Sequence, residues 1–363
     1  MSPEQPPIQG RAVFGIGIGA SALSENSADP ALQRVIHEEL LEDLSVHGRL
    51  VFTSESDLRG FLAAVRNLPT TLSKAWEAVL SSKRVSVSIA DPESDPGLGQ
   101  VLEPEVLEER MAPDLQLVLL ETDQARLLGV RAEDFSVRTP HGLVEIGRLA
   151  TATRTATVLA ARSVLEAPLR EGGNRETEWE QRLEPLVRAG KPVVIYDKYV
   201  GLQTARRYVH ERDAGDGLTW LLGRIAMKPG RRVRIITATA RPDRFGNQYD
   251  EDVMSLAFGR LKNSLGREIG LDIVLVPERG KDAAGHTSER FGHDRHIRFG
   301  DRAAIALGMG IQSFTKTHFA ETITVARLPI RDAKTREERA ARSAIRPPQQ
   351  GWLGWTFPEA QRD

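Results

Sequence analysis

Short apolar runs of strand length constrain this chain more than any other feature: Ala12 to Gly19 (AVFGIGIG), Leu115 to Leu120 (LQLVLL), Pro192 to Tyr196 (PVVIY), Val233 to Ala238 (VRIITA) and Leu271 to Val276 (LDIVLV). A strand that is apolar at consecutive positions has both faces buried, which requires helices on each side of its sheet. The segments between the runs supply them. Asp29-Pro30 caps a helix carrying Leu32, Val35, Ile36 and Leu40 at helical spacing, and Ser54 and Ser56 are caps for a helix through Phe61, Leu62 and Val65. Further helices are predicted from Thr71 with Trp76 and Val79, over residues 153–166, through Leu218, Leu221, Leu222 and Ile225, and from Asp250 to Leu265. A hairpin is predicted over residues 136–148, turning at Pro140-His141-Gly142. The succession predicts the α/β class: two three-layer α/β domains with mostly parallel sheets.

At 363 residues the chain has room for two domains. We expect an acidic, Rossmann-like domain over 1–189, a basic domain over 190–332, and a charged and aromatic tail over 333–363. The polar connector Arg170 to Arg175 (REGGNR) and a charged helix ending at Ala189 lead to Gly190, which marks the boundary. Residues 1–190 carry 19 Lys and Arg against 29 Asp and Glu, whereas residues 191–363 carry 30 against 21. Forty of the 49 basic residues are arginines, whose planar fork suits bidentate contacts to phosphate or carboxylate. The absence of cysteine removes disulfides, thiolate nucleophiles and cysteine metal sites. There is no apolar run of membrane-spanning length, and MSPEQPPIQG lacks the features of a signal peptide, so a cytoplasmic protein is expected. No cofactor and no metal are expected.

The sharpest chemistry lies in His293 to Phe314, HDRHIRFGDRAAIALGMGIQSF. In a strand, residues two apart share a face, so His293, Arg295, Ile297 and Phe299 fall together. An imidazole and a guanidinium side by side leave room for a phosphate between them. The run PVVIY delivers Asp197, Lys198 and Tyr199 at its carboxyl end, where open α/β sheets gather ligands. Arg298 adds a cation, as do Arg231, Arg232 and Arg234 if that turn folds nearby, and Gly308 and Gly310 form a turn followed by Ser313. Ser313 reads as a helix cap or, with His318, as part of a nucleophile and base pair. A structural network in which His293 and Arg295 pair with Asp197 and Asp294 is the alternative to a ligand site. Four histidines fall in residues 286–318, but His293 and His296 would face opposite sides of one strand, which argues against zinc. Gly15, Gly17 and Gly19 give G-x-G-x-G rather than the dinucleotide spacing.

The succession IYDKYV, then RIITAT, then HDRHIRF with ALGMGIQSF resembles the phospholipase D-like domain found at the C-terminus of MIT-domain proteins, over roughly residues 191–330. The wider superfamily uses His-x-Lys-x4-Asp, in which histidine attacks phosphorus, the cation holds phosphoryl oxygens and aspartate supports the site. His293 matches the nucleophile and Arg295 the cation. The aspartate position is Gly300, and the nearest carboxylate, Asp301, comes one residue late. The resemblance thus implies His293, Arg295 and Asp301 as catalytic residues, with Asp197, Lys198, Tyr199, Arg298, Gly308, Gly310 and Ser313 in binding. It also implies a phosphate-bearing ligand, nucleic acid or lipid headgroup, and a homodimer. The phrase ETDQARLLGV is similar to the late strand-to-helix corner of PIN-type nuclease domains. The acid those domains place after the first strand falls here among Gly19, Ala20 and Ser21, giving a degenerate PIN-like scaffold. Two functions follow: a metal-independent phosphodiesterase or nuclease acting through a phosphohistidine, or a non-catalytic interaction subunit in a setting such as prokaryotic defence. The second would reach protein partners through the N-terminal domain or the tail bearing Trp352, Trp355 and Phe357.

Overall fold

The computed structural model describes residues 11–23, 29–82, 85–90, 98, 114–127, 136–139, 142–210, 216–228, 230–239, 251–265, 269–276, 279–281, 287–289, 291, 295–342 and 354–357. The chain divides into two compact units, Met1–Val164 and Leu165–Asp363, and both are α/β. No described helix is long and apolar enough to cross a membrane.

In the first unit the strands are β1 (Phe14–Ile18), β2 (Gly48–Phe52), β3 (Ser86–Ile89), β4 (Leu115–Leu119), β5 (Ser136–Thr139) and β6 (Gly142–Gly147). They form one sheet in the order β3-β2-β1-β4-β6-β5, parallel except for the expected β5–β6 hairpin. Phe14, Ile16, Ile18, Leu50, Phe52, Leu117 and Leu119 project from one face into a core built from the helices Pro30–Val46, Glu55–Asn67, Thr70–Ser81 and Ala156–Glu166. The caps are as expected: Asp29 accepts from the Ala31 N–H at 2.8 Å and Ser54 from the Asp57 N–H at 3.2 Å. Gly15 and Gly17 serve packing. A Cβ at Gly15 would lie 1.9 Å from the Asp114 carbonyl oxygen, and one at Gly17 would lie 2.6 Å from Leu98 Cδ1.

The second unit holds β7 (Val193–Tyr196), β8 (Arg231–Ala238), β9 (Ile269–Val276), the small ribbon β10 (Arg279–Lys281) with β11 (Thr287–Glu289), then β12 (His296–Phe299), β13 (Ala303–Leu307), β14 (Val325–Arg327) and β15 (Gly354–Phe357). The main sheet runs β14-β13-β12-β7-β8-β9-β15. Its centre, β7-β8-β9, is parallel, and β12, β13, β14 and β15 are added antiparallel on the two sides. Pairing of β15 with β9 brings the end of the tail back onto this sheet, and the helix Ile330–Arg342 packs on β12, β13, β8 and β9. Residues 333–342 therefore belong to this unit rather than to a separate tail.

The division falls at Val164 and Leu165, not at Gly190. Leu169 bridges to Ile323 and Asn174 to His318. The Arg175 guanidinium donates to the Phe314 carbonyl at 2.8 Å, and the Trp220 indole donates to Glu176 at 2.9 Å. These pairings, most of them across more than a hundred residues and that of Trp220 across 44, bind the connector and the charged helix to the second unit.

Helix Ile330–Arg342 buries Ala333, Glu337 and Ala340. Its docking point is ionic. Glu337 accepts from Arg298 Nε at 2.8 Å and Nη2 at 2.6 Å, and lies 3.1 Å from His296 Nε2. Burial alone would raise the Glu337 carboxyl, but the hydrogen bonds from His296 and Arg298, reinforced by their charges, hold it below the usual range. Removing one partner of such a buried pair strands the other charge and costs about 3–5 kcal/mol. Glu337→Ala is therefore expected to lower the unfolding free energy of the second unit by that order, read as a lower denaturant midpoint, with Arg298→Met/Glu337→Leu recovering most of the loss. A midpoint unchanged in the single variant would show the pair to be dispensable.

In the first unit His37 is buried, and its Nδ1 accepts from the Trp76 indole at 2.9 Å. Burial lowers its pKa from 6.5 to about 4. Between those values the unfolded chain binds the proton more readily, so stability present above pH 6.5 is lost as pH falls toward 4. We expect a loss on the order of 1–2 kcal/mol by pH 5. His37→Gln, which keeps an acceptor but cannot titrate, should flatten this part of the stability profile measured by urea unfolding.

Candidate functional site

The antiparallel register of β12 on β7 pairs His296 with Tyr196 and Phe299 with Val193. The head of β12 therefore meets the carboxyl end of β7, and Arg295 arrives beside Asp197, Lys198 and Tyr199. The Arg295 guanidinium lies over the Tyr199 ring, 4.9 Å from its centroid, with Lys198 Nζ 5.8 Å from the same ring. Both contacts lie within the range of cation–π attraction. The sequence grouped these four residues, and the fold assembles them.

Asp197 ties the corner together. Its Oδ1 accepts from the Tyr199 N–H at 2.9 Å and its Oδ2 from the Ile311 N–H at 3.0 Å. Ile311 belongs to the 3-10 turn Gly310–Thr315 that follows β13, so one carboxylate joins two segments more than a hundred residues apart. Burial pushes the Asp197 carboxyl up, against the opposing pull of the Tyr199, Ile311 and Val200 N–H groups and the Arg295 charge. Gly310 has φ +67, and a Cβ there would lie 2.2 Å from Asp197 Oδ2 and 2.6 Å from Arg295 Cδ. Only glycine fits both the backbone and the space.

Arg295 keeps hydrogen-bonding capacity. Its Nη1 reaches the Gly308 carbonyl only at 3.5 Å, its Nε is buried without a partner, and it forms no salt bridge with a described residue. Met309 stands exposed on the same Gly308-Met309-Gly310 turn.

The other expected site residues go elsewhere. His293 lies outside the described residues. Arg298 is consumed by Glu337 and the Gly300 carbonyl, at 2.6 Å, because β12 alternation turns it to the opposite face from Ile297. Asp301 sits on the β12–β13 turn, where Gly300 adopts φ +56, and contacts Lys334 Nζ at 2.7 Å. That turn lies at the amino end of β7. At about 3.3 Å per residue the strand carries Asp301 well over 10 Å from Arg295. Ser313 lies inside the Gly310–Thr315 turn rather than at its cap, which is Met309, and donates its hydroxyl to the Gly310 carbonyl at 2.8 Å. Arg231 and Arg232 occupy the start of β8, at the other end of the sheet from Asp197, and Arg232 and Arg234 pair with Asp272 at 2.9 and 3.5 Å. Glu337, which decides the fate of Arg298, was not singled out by the sequence pattern. Among the described residues no group of three His, Asp or Glu side chains is placed to hold a metal ion.

No protein-family model matches the chain, and no curated protein matches its sequence.

The site separates two arginines that are three residues apart. Arg298→Ala should destabilise the second unit by about 3–5 kcal/mol, because it leaves Glu337 buried with His296 as its remaining partner. Arg295→Ala should cost about 1 kcal/mol or less, the scale of one cation–π contact. Paired denaturant titrations check the contrast, and comparable losses in both variants would contradict it.

Proposed function

We propose that the second unit binds phosphate-bearing ligands, phosphodiesters above all, at the carboxyl end of β7, with Arg295 as the principal cation. The observation that carries this reading is a guanidinium held in place by the Tyr199 ring, yet engaged by no carboxylate of the described residues at hydrogen-bonding distance. An arginine in that state retains donors for a phosphate oxygen. Lys198 adds a second positive charge beside Tyr199, and the glycine turn lets a ligand approach the backbone. The resemblance of residues 191–330 to phospholipase D-like domains points the same way. It extends the reading to a metal-independent phosphodiesterase or nuclease in which His293 attacks phosphorus within a homodimer. The alternative is a binding or scaffold subunit, favoured by the distance of Asp301 from the Arg295 corner.

Binding of a labelled single-stranded oligonucleotide tests the reading directly. Arg295→Ala should weaken it at least tenfold relative to the unmodified chain, while Arg232→Ala, at the far end of the sheet, should weaken it far less. Equal affinity in Arg295→Ala and the unmodified chain would overturn the proposal. Hydrolysis of bis(p-nitrophenyl) phosphate in EDTA, lost in His293→Ala, would establish the enzyme. Oligonucleotide binding with no hydrolysis would establish the binding module.

A further inference from the structure

The strand motif leaves its carboxylate unassigned, since Gly300 has no side chain and Asp301 is carried to the opposite end of β12. A different acid occupies the ground next to Arg295. Asp197 is buried at the end of β7, fixed by the Tyr199 and Ile311 N–H groups, and its field acts on Arg295 across the space left by Gly310. From this placement, and resting on the phosphate-binding reading above, we infer that Asp197 is the positioning residue of the site and sets which charge state of a phosphate ester it accepts.

Two physical consequences follow. The carboxylate and the Arg295 side chain flank Gly310 so closely that a single methyl group would strike both, so the three are packed against one another. The guanidinium therefore presents its donors from a fixed direction. The second consequence is electrostatic. A ligand at Arg295 meets the fields of Arg295 and Lys198 and that of a nearby aspartate. A phosphodiester carries one negative charge at all ordinary pH values, whereas a phosphomonoester gains its second charge with a pKa near 6. Repulsion from a carboxylate in a poorly solvated setting falls more heavily on the dianion. Asp197 thus offsets part of the preference for the dianion that the two cations create, and a carboxylate with a merely structural role would leave no such signature.

The experiment uses the full chain with dimethyl phosphate and methyl phosphate as probes, titrated from pH 5 to 7.5, and follows the arginine Nε–H resonances by NMR. In the unmodified protein dimethyl phosphate should bind with little pH dependence. Methyl phosphate should gain no more than about twofold as pH rises through about 6 and it becomes a dianion, because the Asp197 carboxylate cancels much of the pull of the two cations. Asp197→Asn should shift the preference toward the dianion about fivefold or more, and should also broaden or move the Arg295 Nε–H signal. Gly310→Ala changes no charge. It should displace the same signal and weaken both probes together, and it serves as the test if Asp197→Asn does not fold. An Asp197→Asn protein with unchanged ester preference and an unchanged Arg295 signal would overturn the inference while leaving phosphate binding intact. If neither ester binds the unmodified protein, the phosphate reading fails, and the response of the Arg295 signal to the two substitutions still decides whether Asp197 positions it.

Discussion

The second unit depends on one register, the pairing of His296 with Tyr196 where β12 joins β7. It brings the head of an antiparallel strand to the carboxyl end of a parallel one. A slip of one residue would exchange the two faces of β12, sending His296 and Arg298 toward the helices on one side and Ile297 and Phe299 toward Glu337 on the other. Both outcomes bury groups without partners. The register is thus held by its own alternation, and the same alternation determines which side chains remain at the mouth.

The two faces of β12 do different work. On one, Ile297 and Phe299 pair with Ile195 and Val193 in the apolar interior. On the other, His296 stacks on Tyr196 at 4.8 Å between ring centroids and shares Glu337 with Arg298. A buried ion cluster of this kind adds little over a well-packed apolar contact, but loss of either partner alone leaves a buried charge behind. It fixes helix Ile330–Arg342 against the strand that ends at Arg295. The clamp and the Asp197 corner lie on the same strand, and the clamp occupies the Arg298 guanidinium while Arg295 rests over the Tyr199 ring.

Much of this was readable along the chain. The apolar runs became central strands and Asp29 and Ser54 became caps, because each rests on a periodicity or a neighbour within about ten residues, whereas Asp197 to Tyr199 were grouped with Arg295 through the strand-end rule and the family resemblance. Other features were not local. Helix Ile330–Arg342 showed no apolar stripe because its buried positions are Ala333, Glu337 and Ala340, and a glutamate counts as buried only once His296 and Arg298 are known to face it. The unit boundary fell earlier than the composition suggested because Leu169 and Asn174 find their partners beyond residue 315. Asp301 looked close to Arg295 in sequence, yet a tight turn at Gly300 places it at the other end of the strand.

The sequence by itself determined the inventory: an α/β chain with buried strands, an acid, a lysine and a tyrosine after one of them, and two arginines on another. Arg295 and Arg298 are chemically alike and almost neighbours, so nothing in their local pattern ranks them. Tertiary structure decided between them. A residue 39 positions beyond Arg298 closes on that arginine and takes its charge out of play, while the glycine turn and the Asp197 latch hold Arg295 against Tyr199 with donors to spare. Hydrophobic periodicity is written over a few turns of chain. The neutralisation of one buried charge by another is settled only when distant elements pack.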